Sequence, residues 1–599
     1  MGNKKIKLRG EIDNKYKWNI EAMYADDEAW NADYAKVSEL AEDFMKYKGK
    51  LIESADTLLS ALTDSDELDR TLEKLFVFSK MKLDEDNSDS ASQARNGKCI
   101  SLVSNVGAQM SFFTPELLSA DENVILGYID ENPGLKKYEF FLHDLLKAKD
   151  HILSQEEENL LAQLSEVTGA SNNIFSMLND ADMTFGKVKN EDGEEIELTH
   201  GNYISFMESY DRNVRKEAFE HVYEAYKAQI NTIAALYSNS VKNDCIKSKI
   251  RNYESSRNAA LSGNEIPESV YDNLITVTHE YLPYLHDYMN LRKELLGIDE
   301  LKMYDVYVPL INMPEKEYTF DEALDLMYEA LSPLGEDYIS KVKQGISDGW
   351  IDVYENKGKT SGAYSFGCYD SYPYILLNYT NKLQDVLTIV HEMGHSMHSM
   401  YTRENQPFIY GDYSIFVAEV ASTVNECLLL RHLLGKEKDS EMKKFLLNRF
   451  IEEFRTTVFR QTMFAEFELL AHRHIESGEA LTAEWLCSEY DRLNSLYFGD
   501  AISHDDYIQY EWSRIPHFYR AYYVYQYATG FSAATAISKR ILTEGQPAVE
   551  DYKKFLSMGS SAYPVDELKV AGVDMSSKQP VIDAMEMFKD LVDELKSLI

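Results

Sequence analysis

The sequence predicts a mainly α-helical protein of two or more lobes with two short β-containing stretches. Three observations lead there. At 599 residues the chain exceeds the size at which a single hydrophobic core keeps growing. Only 13 prolines and 28 glycines interrupt it, too few for many tight turns. Apolar residues recur at three- and four-residue steps, as in Val214, Ala218, Val222, Tyr226, Ile230, Ile233 and Tyr237, which form one helical stripe. Roughly the first 115 residues repeat that pattern with acidic outer faces. No fixed-period repeat is evident, which disfavours a solenoid.

Two places depart from helical spacing. The stretch DMTFGKVKNEDGEEIELTHG alternates on both sides of Asp192-Gly193, so a β-hairpin is expected near 183–199. A division near residue 200 follows, with 1–200 as an amino-terminal helical lobe and 201–599 as a second, larger domain. Further on, SGAYSFGCYDSYPYILLNYT is rich in Tyr, Gly and Ser and closes on a strand from Tyr374 to Tyr379. Asn381 and Gln384 then have the spacing of a capping box, which opens a helix through DVLTIVHEMGHSMHS.

Composition narrows the partners. A formal net charge of −40 repels nucleic acid and anionic lipid, so neither is expected to bind. Solubility is the plain reading of that charge, and steering of cationic ligands the other. The five cysteines are scattered and never in CxxC spacing, which argues against a disulfide framework and a thiolate zinc site. The start MGNKKIKLRG has no apolar signal region, and Ile6 stands where a myristoylation signal wants Ser or Thr. No apolar run is long enough to span a bilayer. A cytoplasmic protein is expected.

The chemistry concentrates in LTIVHEMGHSMHSMY. His391, Glu392 and His395 spell H-E-x-x-H, and on a helix residues four apart share a face, so both imidazoles can converge on one ion. Zinc suits imidazole nitrogen, and Glu392 beside the pair can take a proton from a water on the metal without ligating it. The apolar Leu387, Ile389, Val390, Met393 and Met397 imply a buried helix. His398 lies about 10 Å along the axis from His391, too far to share one ion with it, and reads as a group behind the ligands or as packing. A third ligand is needed. Glu419 in FVAEVASTVNE is the candidate, because a carboxylate among Val417, Ala418, Val420 and Ala421 is costly to bury without a cation; pairing with an arginine is the alternative. Glu426, seven residues on, lies on the same face and can orient a ligating histidine. Downstream, RIPHFYRAYYVYQYATG sets His517 before a run of tyrosines. Such groups can donate hydrogen bonds to an oxyanion, although a tyrosine-rich helix also serves packing. His472 and His474 are two apart and cannot chelate together.

The ordered set GAYSFG, PYILLNYT, HEMGH, FVAEVASTVNE and IPHFYRAYYVYQYATG resembles oligoendopeptidase F of the thimet oligopeptidase family of zinc metallopeptidases, over nearly the whole chain. The resemblance implies a two-lobed helical metallopeptidase, with a small thermolysin-like α+β zinc core flanking a deep substrate channel. It implies oligopeptide substrates and one Zn2+ per chain, held by His391, His395 and Glu419 with Glu392 as general base. His517 and Tyr522 match the family's transition-state donors, with Tyr525 as a further one. Gly362, Ala363, Tyr364 and Tyr379 would belong to an edge strand on which an extended peptide pairs. A metallocarboxypeptidase, gripping a terminal carboxylate through Arg514 or Arg520, is the competing enzyme. A zinc-stabilised peptide-binding protein without turnover is the competing non-enzyme.

Overall fold

The computed structural model describes residues 6–312 and 316–599. The first five residues, on which the expectation about a leader partly rests, lie outside them. Helices dominate, and the described residues hold two small sheets. No helix among them is long and apolar enough to cross a membrane.

The chain folds as two compact units, interleaved along the sequence. The first combines the chain up to Lys149 with Lys316–His432 and Ile537–Val573; the second takes the chain from Asp150 to the first of those segments, Leu433–Ala536 and Asp574–Ile599. This packing does not follow a single cut near residue 200, because segments remote in sequence share one core.

In the first unit, the helices Asp27–Phe44, Ala55–Glu85 and Ser90–Met110 pack together. Each begins at a side chain that accepts an otherwise unpaired backbone N–H: Asp26 from Ala29, Ser54 from Thr57 and Asp89 from Ser92. Their inner residues, among them Trp30, Phe78 and Leu102, join Trp18 and the sheet residues Tyr374 and Leu376 in one apolar cluster. The central strand Tyr374–Leu376 is wholly buried. It pairs in parallel with Ile351–Asp352 and antiparallel with Tyr364–Phe366, Ser365 opposite Ile375. Tyr364–Phe366 is therefore an edge strand, half-buried along its length. Past Leu376 the chain keeps its course through Leu377 N–H to Asp352 O and Tyr379 N–H to Val353 O. Lys359, whose side chain is fully buried beside this sheet, donates to the carbonyls of Asp352, Tyr354 and Leu377 and pairs with Asp352 Oδ1 at 2.7 Å. Arg9 takes the other oxygen of Asp352 at 2.5 Å, so two cations hold one buried carboxylate.

The second unit is helical apart from the expected hairpin, Lys187–Lys189 against Glu195–Glu197. Gly193, at φ +79°, makes the turn, and Asn190 Oδ1 accepts the N–H groups of Asp192 and Glu194. The stripe from Val214 to Tyr237 is buried, with Ile230 half-buried. Two helices carry it, Arg212–Ala228 and Ile230–Ile250, broken at Gln229 where ψ reaches 6°. Three- and four-residue spacing does not reveal such a break, because both helices keep the same face inward.

Candidate metal centre

The motif lies on the helix Leu383–Asn405 in the first unit. Asp385, not Gln384, caps its start: the carboxylate accepts from Thr380 N–H, Thr380 Oγ and Lys382 N–H at 2.8–2.9 Å. Asn381 sits at φ +67° just before it, its carbonyl taken by the Tyr318 N–H. The next helix, Ile415–Lys436, crosses at Gly394. A Cβ there would stand 2.5 Å from Ser422 Cα and 2.6 Å from Ala421 O, so only glycine permits this approach. Asn425 Nδ2 donates to Val390 O at 3.2 Å and ties the helices together.

That crossing brings Glu419 to the histidine pair. His391 Nε2 and His395 Nε2 are 3.2 Å apart, and each is 3.4 Å from Glu419 Oε2. A tetrahedral ion bound at about 2.0–2.1 Å sets its ligand atoms about 3.3–3.4 Å apart, so the residues present fit such an ion. Among the described residues this cluster offers three candidate ligands, which would leave a fourth position of a tetrahedral ion open. Glu426 Oε1 stands 3.3 Å from His391 Nδ1, on the side away from Glu419, where it fixes the ring and its tautomer.

The electrostatics favour a cation. Burial pulls the His391 pKa down, but the hydrogen bond to Glu426 and the charges of Glu426, Glu392 and Glu419 outweigh it and lift the pKa to about 9. Glu419 goes the other way. Its own desolvation is overcome by the hydrogen bond to His395 and the charges of both imidazoles, and its pKa falls to about 2. The Glu419 side chain is 51% exposed, so its role is marked by proximity to the imidazoles and not by the burial expected for its carboxylate. Its neighbours Val417, Val420 and Ala421 are the buried ones.

Glu392 is 8% exposed, and burial raises its pKa against the pull of both histidines and of the Ser365 N–H. The edge strand therefore runs beside Glu392, held also by Ser365 Oγ and Ser396 Oγ at 2.8 Å. A cavity of about 250 Å³ adjoins it, lined by Gly362, Ala363, Tyr379, Asp385 and Thr388 among others. The hydroxyls of the two expected strand tyrosines are already committed: Tyr364 donates to Asp84 at 2.7 Å and Tyr379 to Tyr318 O at 2.9 Å. His398 is packing. It is buried, stacked on Tyr413 at 3.7 Å, and so desolvated that its pKa drops to about 3.

The remaining expected residues lie in the second unit. His517 is exposed at its surface, and burial of part of the ring with the charges of Arg460 and Arg520 keeps its pKa low. Tyr522 and Tyr525 turn inward, 3% and 2% exposed. The Tyr522 hydroxyl meets Ser256 Oγ at 3.3 Å, and the Tyr525 ring packs on Tyr271 at 5.0 Å. Half-buried tyrosines beside His517 are instead Tyr523, parallel to the imidazole at 6.1 Å, and Tyr527, edge-on at the same distance. Their hydroxyls are 3.4 Å apart. No spacing rule marks this pair, because Tyr523 precedes the helix that begins at Tyr525. Arg514 is enclosed by Tyr203 and Tyr223, whereas Arg520 lies over the Tyr523 ring at 4.1 Å. His472 is buried against Asp244 and His474 stacks on Trp485, so neither forms a chelate.

A helical fold with two histidines and a glutamate poised for a metal, a second glutamate beside them and an edge strand alongside defines the class of metallopeptidases with an H-E-x-x-H helix. Residues 205–587 match the model of peptidase family M3, and residues 116–185 match that of oligopeptidase F. The chain belongs to peptidase family M3 and groups with its oligopeptidase F members. Oligopeptidase PepF of Bacillus subtilis is 49% identical over 99% of this chain and 88% of its own length. Group B oligopeptidase PepB of Streptococcus agalactiae is 44% identical over 99% and 98%. A crystal structure from Chlamydophila abortus superposes with TM-score 0.94 at 37% identity, covering 99% of this chain and 100% of that one. That of oligoendopeptidase-F from Enterococcus faecium gives 0.74 at 39% identity, covering 96% and 99%.

Proposed function

We propose that the protein is a zinc-dependent oligoendopeptidase that hydrolyses internal bonds of short, unstructured peptides in the cytoplasm. The observation that carries this reading is the near-equilateral spacing of His391 Nε2, His395 Nε2 and Glu419 Oε2, with Glu392 beside it. Two imidazoles and a carboxylate suit zinc. When bound, it would polarise the scissile carbonyl and make water a stronger acid.

The chain's own residues do the rest. Glu392 accepts the proton of the attacking water and delivers it to the leaving amine; a carboxyl whose pKa is raised by burial is suited to both transfers. Glu426 holds the His391 ring in place. The edge strand pairs with an extended peptide, backbone to backbone, past Gly362 and Ala363. His517 donates to the oxyanion together with Tyr523 and Tyr527, while Tyr522 and Tyr525 support the segment that carries them. Free cysteines support a reducing compartment.

The test is cleavage of an internally quenched peptide blocked at both ends, by wild type and by Glu392→Gln, with metal content measured on both. Internal cleavage by wild type is expected, falling about 10²–10⁴-fold in a variant that keeps one zinc. A substrate cut only when its carboxyl terminus is free would turn the reading to the carboxypeptidase. No cleavage by zinc-loaded wild type across a panel of peptides would turn it to the binding protein.

A further inference from the structure

The segment that carries His517 and Tyr523 has one residue in an unfavourable backbone conformation. Tyr522 is at φ +51°, in the left-handed region that a side chain with a Cβ occupies only when its surroundings hold it there. Its surroundings are all in the second unit. The ring lies 4.7 Å from that of His472 and 5.7 Å from that of Tyr271. Its backbone N–H donates to Glu468 Oε1 at 2.7 Å.

Glu468 is an odd choice for a packing position. It is completely buried on the helix Arg460–Glu476, and its Oε2 has no hydrogen-bond partner. Among the described residues it forms no ion pair. Burial pushes its carboxyl up to about 8; the charge of His472 and the Tyr522 N–H pull it down, and Asp244 adds to the rise. An apolar side chain of similar volume would fill the same space without desolvating a carboxyl or stranding an oxygen. What such a side chain could not supply is an acceptor for the Tyr522 N–H. Directly after Tyr522 comes Tyr523, whose ring is stacked with that of His517.

We propose that Glu468 is a positioning residue: by accepting the Tyr522 N–H it holds that residue in the left-handed turn, and so keeps the Tyr523 hydroxyl and the His517 imidazole in the mutual arrangement in which both donate to one oxyanion. This rests on the reading of His517 and Tyr523 as donors. Tyr522 is then needed for the direction of its neighbour's side chain, and its own hydroxyl stays on Ser256.

The test uses the full-length, zinc-loaded protein with the doubly blocked quenched peptide, comparing wild type with Glu468→Gln, Glu468→Met and His517→Ala. Glutamine keeps an acceptor oxygen, and its kcat is expected within about threefold of wild type. Methionine fills the volume without an acceptor. Its kcat is expected to fall about 10–100-fold, as misplacement of reacting groups does, with KM within twofold and Tm equal to or above wild type. A purely structural role predicts instead a lower Tm with kcat unchanged in the surviving folded protein. Wild-type kcat in Glu468→Met, with His517→Ala strongly impaired, would overturn the positioning role and leave the donor reading standing. Wild-type kcat in His517→Ala would overturn both. An equal loss in the glutamine and methionine variants would overturn the acceptor argument. Should the methionine variant not fold, Glu468→Asp draws the acceptor back by one methylene; a fall in kcat at constant KM is expected there, and wild-type kcat would overturn the proposal.

Discussion

The metal helix of the first unit and the tyrosine segment of the second place polar groups by opposite means. His391 and His395 sit on an uninterrupted helix, where four residues return a side chain to the same face, and the 3.2 Å between their nitrogens follows from that repeat. His517 to Tyr525 run through a short 3-10 turn and a left-handed residue before the next helix begins. No repeat fixes side-chain direction there. Regular backbone translates spacing into geometry, whereas irregular backbone leaves direction to the residues packed against it.

The most severe break of the metal side is expected from Glu419→Ala, which removes one of the three proposed ligands: zinc per chain should fall well below one and cleavage should vanish with it, read by metal analysis and the quenched-peptide assay. On the tyrosine side, Tyr523→Phe should lower kcat about 10²–10³-fold while Tyr522→Phe costs less than about tenfold. The reverse order would return the donor role to Tyr522. A Glu426→Gln exchange should weaken zinc binding about 10–100-fold in a chelator competition, since His391 loses the carboxylate behind it. Gly394→Ala forces a methyl group against Ser422 and should destabilise the first unit by about 1–3 kcal/mol in denaturant unfolding. The mildest effect concerns pH. Glu567, buried beside Asp566, has its carboxyl pushed up to about 8 from an ordinary value of 4.5. The folded state holds that proton more tightly than the unfolded chain does. Its contribution is therefore full below about pH 4.5 and is lost as pH rises through 8. Glu567→Gln should accordingly raise Tm at pH 8 by about 2–4 °C for each kcal/mol relieved, and leave it near wild type at pH 5.

Helical class, the hairpin near residue 193 and the convergence of His391 and His395 were legible because each rests on a local period or a turn signal. Glu419 was legible for a partly mistaken reason. Its neighbours are buried, but its own side chain is half exposed, and what marks it is the crossing at Gly394. The capping residue was misjudged by one position because Asn381 enters the left-handed region and delays the helix. Tyr522 was named from the resemblance, and matching motifs carry no information about its positive φ or about which tyrosine ring stands beside His517. The two-unit packing was hidden for a different reason: contacts such as that between the Trp18 and Tyr374 rings join residues far apart in the chain.

That last contact also sets a timetable for biosynthesis. The helices Asp27–Phe44, Ala55–Glu85 and Ser90–Met110 cannot complete their shared core until the strand Tyr374–Leu376 has left the ribosome. At about 5–20 residues per second, the wait from Trp18 to Tyr374 is roughly 20–70 s. Throughout that interval the apolar faces of those helices lack the strand that completes their core, and such exposed surface is what chaperones cover.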